Sequence, residues 1–172
     1  MKIRRYLPAD QPGVIALFRE FMHELMSPHL GAEFRSYIER AVQEELGRIE
    51  EYYLLRPDQG FWVAEEQRNG ALAGMAGVER HDTESAELRR MAVAKTHRRT
   101  GIGRALLSTA ESFCRQSGYR RIVLSTSELQ LPAARLYESS GYRLLREEKA
   151  LQASHKTVGA GLTRYHYEKR LE

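Results

Sequence analysis

Lys95-Thr96-His97-Arg98-Arg99-Thr100-Gly101-Ile102-Gly103-Arg104 is the segment of this 172-residue chain whose residue types and spacing bear most directly on chemistry. It leads from the apolar stretch Met91-Ala92-Val93 into a run with helical periodicity. The start of a helix presents four backbone N–H groups without partners and a partial positive charge, so it attracts an anion. Gly101 and Gly103 lack the Cβ atoms that would hold phosphate oxygens away, and Arg98, Arg99 and Arg104 add charge. Read alone, the segment is equally a glycine-bearing loop with a solvated basic run, because short glycine patterns recur by chance. Two rival phosphate motifs fit it less well. A dinucleotide fingerprint wants glycine or alanine where Leu106 stands, and a P-loop wants Gly-Lys-Ser/Thr after four spacers.

Other reactive side chains offer less. Cys114 is the only cysteine, so no intramolecular disulfide can form, which fits a reducing compartment. It falls in an apolar helical stripe and reads as a space-filling thiol rather than a nucleophile. The six histidines show no metal-ligand spacing, and no metal is expected. The net charge of +4 favours an anionic partner but does not separate nucleic acid from a phosphorylated small molecule. The basic set Arg89, Arg90, Lys95, Arg98, Arg99 and Arg104 has no nucleic-acid reader motif beside it, so no nucleic acid is expected. No apolar run reaches bilayer length, and the first residues lack the apolar stretch of a secretion signal. The expectation is a cytoplasmic chain without membrane contact.

The elements that must position these residues can be read from periodicity. Ile3–Leu7 reads as a strand, followed by a helix with Val14, Leu17, Phe18, Phe21, Met22 and Leu25 on one face. A second helical stretch carries Phe34, Ile38, Val42, Leu46 and Ile49 to a stop before Pro57. Three antiparallel strands come next, around Phe61–Ala64, Met75–Val78 and Glu87–Val93, the first two joined by an Asn69-Gly70 turn. A helix with Ile102, Leu106, Ala110 and Phe113 on one face ends at Gly118. Ile122-Val123-Leu124 reads as a strand buried on both faces, and Pro132 opens a further helix that ends at Gly141. Strands at Tyr142–Glu147 and Leu162–Leu171 complete the chain. Strand, helix and strand over residues 87–124 make a crossover, which requires a parallel pair. Within Glu87–Val93, Leu88 and Met91 stand three apart where alternation gives two or four. A β-bulge accounts for this, as does a strand buried on both faces with Arg90 at an edge.

Three segments in this order resemble the GCN5-related N-acetyltransferase (GNAT) family. Arg98-Arg99-Thr100-Gly101-Ile102-Gly103 fits its Arg/Gln-x-x-Gly-x-Gly/Ala signature, and Glu87–Val93 is similar to its central strand. Ala133-Ala134-Arg135-Leu136-Tyr137-Glu138-Ser139-Ser140-Gly141-Tyr142 is similar to its Ala-x-x-Leu-Tyr-Glu-x-x-Gly-Phe segment. The resemblance implies a single α/β domain over residues 1–172, with a mixed, mostly antiparallel sheet whose central parallel strands splay apart, flanked by helices. It implies acetyl-CoA as co-substrate, with pyrophosphate on Arg98–Arg104 and the pantetheine arm in the splay. The backbone of Met91, Ala92 and Val93 would serve pantetheine and the thioester oxygen. Gln130 stands where many members have an asparagine that touches pantetheine.

On the same resemblance Tyr137 is the acid that protonates the leaving thiolate, and Glu87 is the base, with Glu65, Glu66 and His81 as substitutes. The implied reaction is direct acetyl transfer to a primary amine in a ternary complex. A small-molecule acceptor is expected first, with a protein N-terminus or lysine, or a non-catalytic CoA-binding module, as alternatives, and a homodimer is compatible with each. The acceptor region in this family falls on Ser27–Tyr37 and Ser154–Gly161. His166 is a further candidate for that pocket, and the acidic residues Glu39, Glu44, Glu45, Glu50 and Glu51 either attract a cationic amine or form a solvated face.

Overall fold

Seven strands form one mixed sheet in the computed structural model, which describes residues 1–172. They are β1 (Lys2–Arg5), β2 (Gly60–Glu65), β3 (Leu72–Arg80), β4 (Ser85–Val93), β5 (Arg121–Ser127), β6 (Arg143–Ala150) and β7 (Leu162–Arg170). Their spatial order is β1-β2-β3-β4-β5-β7-β6, and every neighbouring pair is antiparallel except β4–β5. The helices are α1 (Gln11–Leu25), α2 (Gly31–Glu44), α3 (Ile102–Gln116) and α4 (Leu131–Ser139). No helix is long and apolar enough to cross a membrane.

Strand alternation divides the core. Trp62, Ala76, Val78 and Leu88 face α3 and α4, whereas Phe61, Val63 and Met75 face α1 and α2. The helical stripes read from sequence fill these two layers, with Leu106, Ala110 and Phe113 in the first and Val14, Phe18, Phe34 and Ile38 in the second.

Two readings change. The second helical stretch is not one helix: α2 ends at Glu44, Glu45 takes φ −137°, and short 3-10 and π turns carry the chain through Leu54. Just past the break the Glu45 carboxylate is buried against ionic partners, Arg89 and Arg90. β5 is also longer than expected and alternates, with Ile122, Leu124 and Thr126 buried and Ser125 and Ser127 partly open. The cause lies in its pairing. Only Ser85, Ala86 and Glu87 of β4 meet Arg121, Ile122 and Val123 of β5, after which the two strands part.

The bulge in β4 is present. Met75 pairs with Ala92 and Gly77 with Arg89, so Ala76 alone stands opposite Arg90 and Met91. Arg90 adopts φ +52°, a left-handed conformation rare for a side-chain-bearing residue. The extra residue lets Leu88 and Met91 both pack toward α3, while Arg89 and Arg90 both reach Glu45 on the opposite face. Arg90 is thus a buried ion-pair partner, not an edge residue.

Candidate functional site

Where β4 and β5 part, a cleft of about 140 Å³ opens. Glu87, Met91 and Ala92 of β4, Ser125 and Ser127 of β5, and Gln130 and Tyr137 around α4 line one part of it. Phe18, Phe21, Met22 and Leu25 of α1 line it as well, as do Lys156 and Arg164. The cleft therefore joins the segment expected to take pantetheine to part of the one expected to take the acceptor.

Tyr137 lies on the inner face of α4, packed against the rings of Tyr142 and Tyr167 at 5.8 and 6.2 Å. Its hydroxyl has no protein partner, and burial alone pushes its pKa above the usual phenol range. A neutral, unengaged O–H at a cleft wall is available to give a proton to an anion formed there. Cys114 contrasts with it. Fully buried inside α3, with its thiol pushed up to about 12 by burial, it does not line the cleft.

The turn before α3 has the geometry of an anion site. Gly101, the N-cap, adopts φ +89° and Arg99 φ +63°. The backbone N–H groups from Arg99 to Arg104 donate to no acceptor in the protein, and the first bond of the helix runs from Ala105 N–H to Gly101 O. A row of unpartnered donors at a helix N-terminus fits a pyrophosphate. Gly103 has a packing role as well. A Cβ there would stand 3.2 Å from Leu136 Cδ2, so its absence lets α3 approach α4. Arg98 is also committed elsewhere, donating to Glu24 of α1 at 2.9 Å and stacking over Phe21. The Thr100 hydroxyl donates to His97 O at 2.6 Å, and Arg104 reaches Ser139 Oγ at 3.4 Å. Gln130 lines the cleft, its amide oxygen held by the Thr126 hydroxyl at 2.8 Å, while its NH₂ donates to no protein acceptor.

Beneath the cleft lies a charge cluster that the sequence did not reveal. Glu45, fully buried, accepts from Arg89 Nη2 at 2.7 Å, Arg90 Nε at 2.9 Å and Arg90 Nη2 at 2.6 Å, and from the Tyr53 hydroxyl. The Tyr53 ring sits over Gly77, where a Cβ would stand 2.9 Å from it. Burial acts to raise the Glu45 pKa, but Arg90 and Arg89 outweigh it and the net direction is down. Glu79 bonds Arg89, Lys156 and the Tyr52 hydroxyl. Burial opposes its ionisation too, yet Arg89 and then Lys156 pull it down to about 2. Glu87 lines the cleft where pairing with β5 ends and accepts from Lys156 Nζ at 2.8 Å. The signals were a carboxylate at position 45 in line with the apolar face of Phe34, Ile38 and Ala41, and adjacent arginines in an apolar strand. The basic set read along the chain is thereby dispersed, since Arg89 and Arg90 neutralise buried carboxylates.

The remaining candidates fall elsewhere. Glu65 pairs with Arg4 and Glu66 with His97 near the end of β2, and His81 is exposed at the β3–β4 turn. His166 is held by Glu148 at 2.7 Å and does not line the cleft. Among the acidic residues around α2, Glu39 pairs with Arg19, Glu44 with His155 and Glu51 with Arg48, and none lines the cleft.

Comparison with known proteins agrees with this architecture. The family model described as Acetyltransferase (GNAT) family matches residues 18–142. An N-acetylaspartate synthetase of Danio rerio is 35% identical over 113 residues, covering 65% of this chain and 39% of that protein. N-acetyltransferase 8B of Rattus norvegicus is 33% identical over 116 residues, covering 66% of this chain and 52% of that protein. The chain thus spans about half or less of the length of these two curated relatives. A GNAT acetyltransferase structure from Staphylococcus aureus superposes with a TM-score of 0.77 at 22% identity, covering 99% of each chain. A phosphinothricin acetyltransferase structure from Sinorhizobium meliloti, solved in complex with acetyl-CoA, gives 0.75 at 21% identity, covering 99% of this chain and 88% of that one. These two likenesses concern the fold. With the family model matched over most of its length and this splayed sheet, the chain belongs to the GNAT family.

Proposed function

We propose that this enzyme transfers the acetyl group of acetyl-CoA to a primary amine of a small molecule by direct attack in a ternary complex. The observation that carries the reading is that one cleft joins the unengaged Tyr137 phenol, the parted β4 edge, a carboxylate, Glu87, and the apolar side chains of α1. The amide row from Arg99 to Arg104 supports a pyrophosphate anchor, and Gln130 contributes free NH₂ donors toward pantetheine. The thioester supplies an activated acyl carbon and a sulfur leaving group.

The chain's own groups do the rest. Met91, Ala92 and Val93 lie on the part of β4 beyond its pairing with β5, where backbone N–H groups suit a developing oxyanion. An alkylammonium near pKa 10.4 loses its proton more readily in the apolar surroundings of Phe18, Phe21 and Met22. Glu87 receives that proton. The amine nitrogen bonds to the acyl carbon, the carbon–sulfur bond breaks, and Tyr137 O–H protonates the departing thiolate. No acyl-enzyme is required, in keeping with the buried, weakly acidic Cys114.

Initial rates of thiol release, measured while acetyl-CoA and an amine acceptor are varied together, test this. Intersecting double-reciprocal lines and no acetylated Cys114 are expected. Parallel lines with an acetyl adduct on Cys114 would replace direct attack with a covalent route.

A further inference from the structure

We infer that the acceptor carries a carboxylate beside its amine, bound by Arg164 of β7 together with Ser125 of β5. This rests on the amine-acetylation reading above and narrows it to α-amino acids with apolar side chains. The charges that line the cleft lead there. Arg89 has Glu45 and Glu79, Arg90 has Glu45, and Lys156 has Glu79 and Glu87. Arg164 alone among these cations has no carboxylate within ion-pair distance, and its guanidinium donates only to Ser125 Oγ. Its cross-strand neighbour Glu148 is engaged by Arg146 and His166, each at 2.7 Å.

A largely desolvated guanidinium without a counter-ion is unfavourable, and the burial of Arg164 already lowers its pKa from the free value. An arginine keeps its proton at neutral pH regardless, so an incoming carboxylate would meet a full charge and a planar fork of donors. β7 is laddered on both sides, to β5 and β6, so the residue stands on a rigid element rather than a loop.

The rest of the cleft sets the remainder of the ligand. Glu87 and Arg164 line the same cleft, so the ammonium and carboxylate of one amino acid can address the two. Phe18, Phe21, Met22 and Leu25 offer an apolar wall for its side chain. A polyamine or a polycationic antibiotic fits poorly, because it would bring further positive charge to Arg164 and none of the acidic residues around α2 lines the cleft.

The test compares amines that differ only by the carboxylate: L-norleucine against pentylamine, and L-phenylalanine against phenethylamine, with acetyl-CoA as donor. Calorimetric binding of N-acetyl-L-norleucine and N-acetylpentylamine in the presence of CoA supplies a readout independent of turnover. The amino acids should be preferred about 100-fold in kcat/KM, as for a site whose charged donors are otherwise left unpaired. Arg164→Gln should bring that ratio within a few-fold of one, chiefly through KM, and Arg164→Lys should keep part of it. An unchanged thermal midpoint and CoA affinity would show that the variants fold.

Equal rates for both members of each pair in the wild-type enzyme would overturn the inference while leaving amine acetylation standing. Binding that needs both the carboxylate and Arg164, without transfer to any amine, would uphold the inference and overturn the reading beneath it. Carboxylate preference that survives Arg164→Gln would also refute the assignment.

Discussion

At the scale of single residues, Tyr137 and Glu45 show what environment does to ordinary side chains. Tyr137 has a hydroxyl without a protein partner in a buried setting, so its proton is both retained and unshared. Tyr137→Phe removes one oxygen and little volume. It should lower kcat by about 100-fold, within the range general-acid groups supply, while the Kd for CoA stays within a few-fold. Stopped-flow single turnovers beside calorimetry would measure the two separately, and an unchanged kcat would remove Tyr137 from the proton path. The place of the phenol at the cleft was legible in the sequence because it follows from a local pattern, Ala133 to Tyr142, centred on one helix. Glu45, Lys156 and Arg164 were not. Each acts through partners far along the chain, as when Glu45 meets Arg89 or Lys156 meets Glu79, and no spacing rule reaches across such distances.

At the scale of elements, most of the fold could be read because the two periods are clean. The apolar stripes of α1 and α3, the helix opened by Pro132, the Asn69-Gly70 hairpin and the crossover from β4 through α3 to β5 all stand where the sequence placed them. The three-residue step from Leu88 to Met91 anticipated the bulge, but not that it would turn two arginines onto one carboxylate. The end of α2 was misread because the apolar spacing continues past Glu44 to Leu46 and Ile49, whereas the backbone turns at Glu45 and Gly47 lies against Val42 O, where a Cβ would stand at 2.8 Å. The contact between α3 and α4 carries its own test. Gly103→Val would drive a side chain into Leu136, the neighbour of Tyr137, and should cost about 1–3 kcal/mol in urea unfolding, as overpacking does. The same variant should raise KM for the donor, since the amide row and the phenol would no longer keep their spacing. Wild-type stability and KM would mean that α3 and α4 are not coupled through this contact.

At the scale of the whole molecule, the charge cluster links the segment after α2, β3, β4 and the segment before β7, so its protonation bears on global stability. Glu79 is held at about 2 in the fold against an ordinary value of 4.5, and Glu45 is shifted the same way. A carboxylate depressed in the folded state stabilises the protein above its unfolded pKa and ceases to do so as pH falls toward its folded pKa. Unfolding free energy should therefore hold from pH 7 to about pH 5 and decline below about 4.5, by on the order of 3 kcal/mol for Glu79 as pH approaches 2. Urea midpoints taken at steps down to pH 3 would record the start of this decline, and a flat profile would show that the cluster contributes no net stability.

The parting of β4 and β5 has a mechanical side as well. Three residue pairs, Ser85–Arg121, Ala86–Ile122 and Glu87–Val123, are the only strand pairing between the block β1–β4 and the block β5–β7. The sheet is continuous in outline but is a clothes-peg in construction, with its spring at that short ladder and its jaws at Met91 and Gln130. An extended molecule lying between the jaws would bridge the strands where they have no rungs of their own, and would brace the two blocks against each other for as long as it stayed.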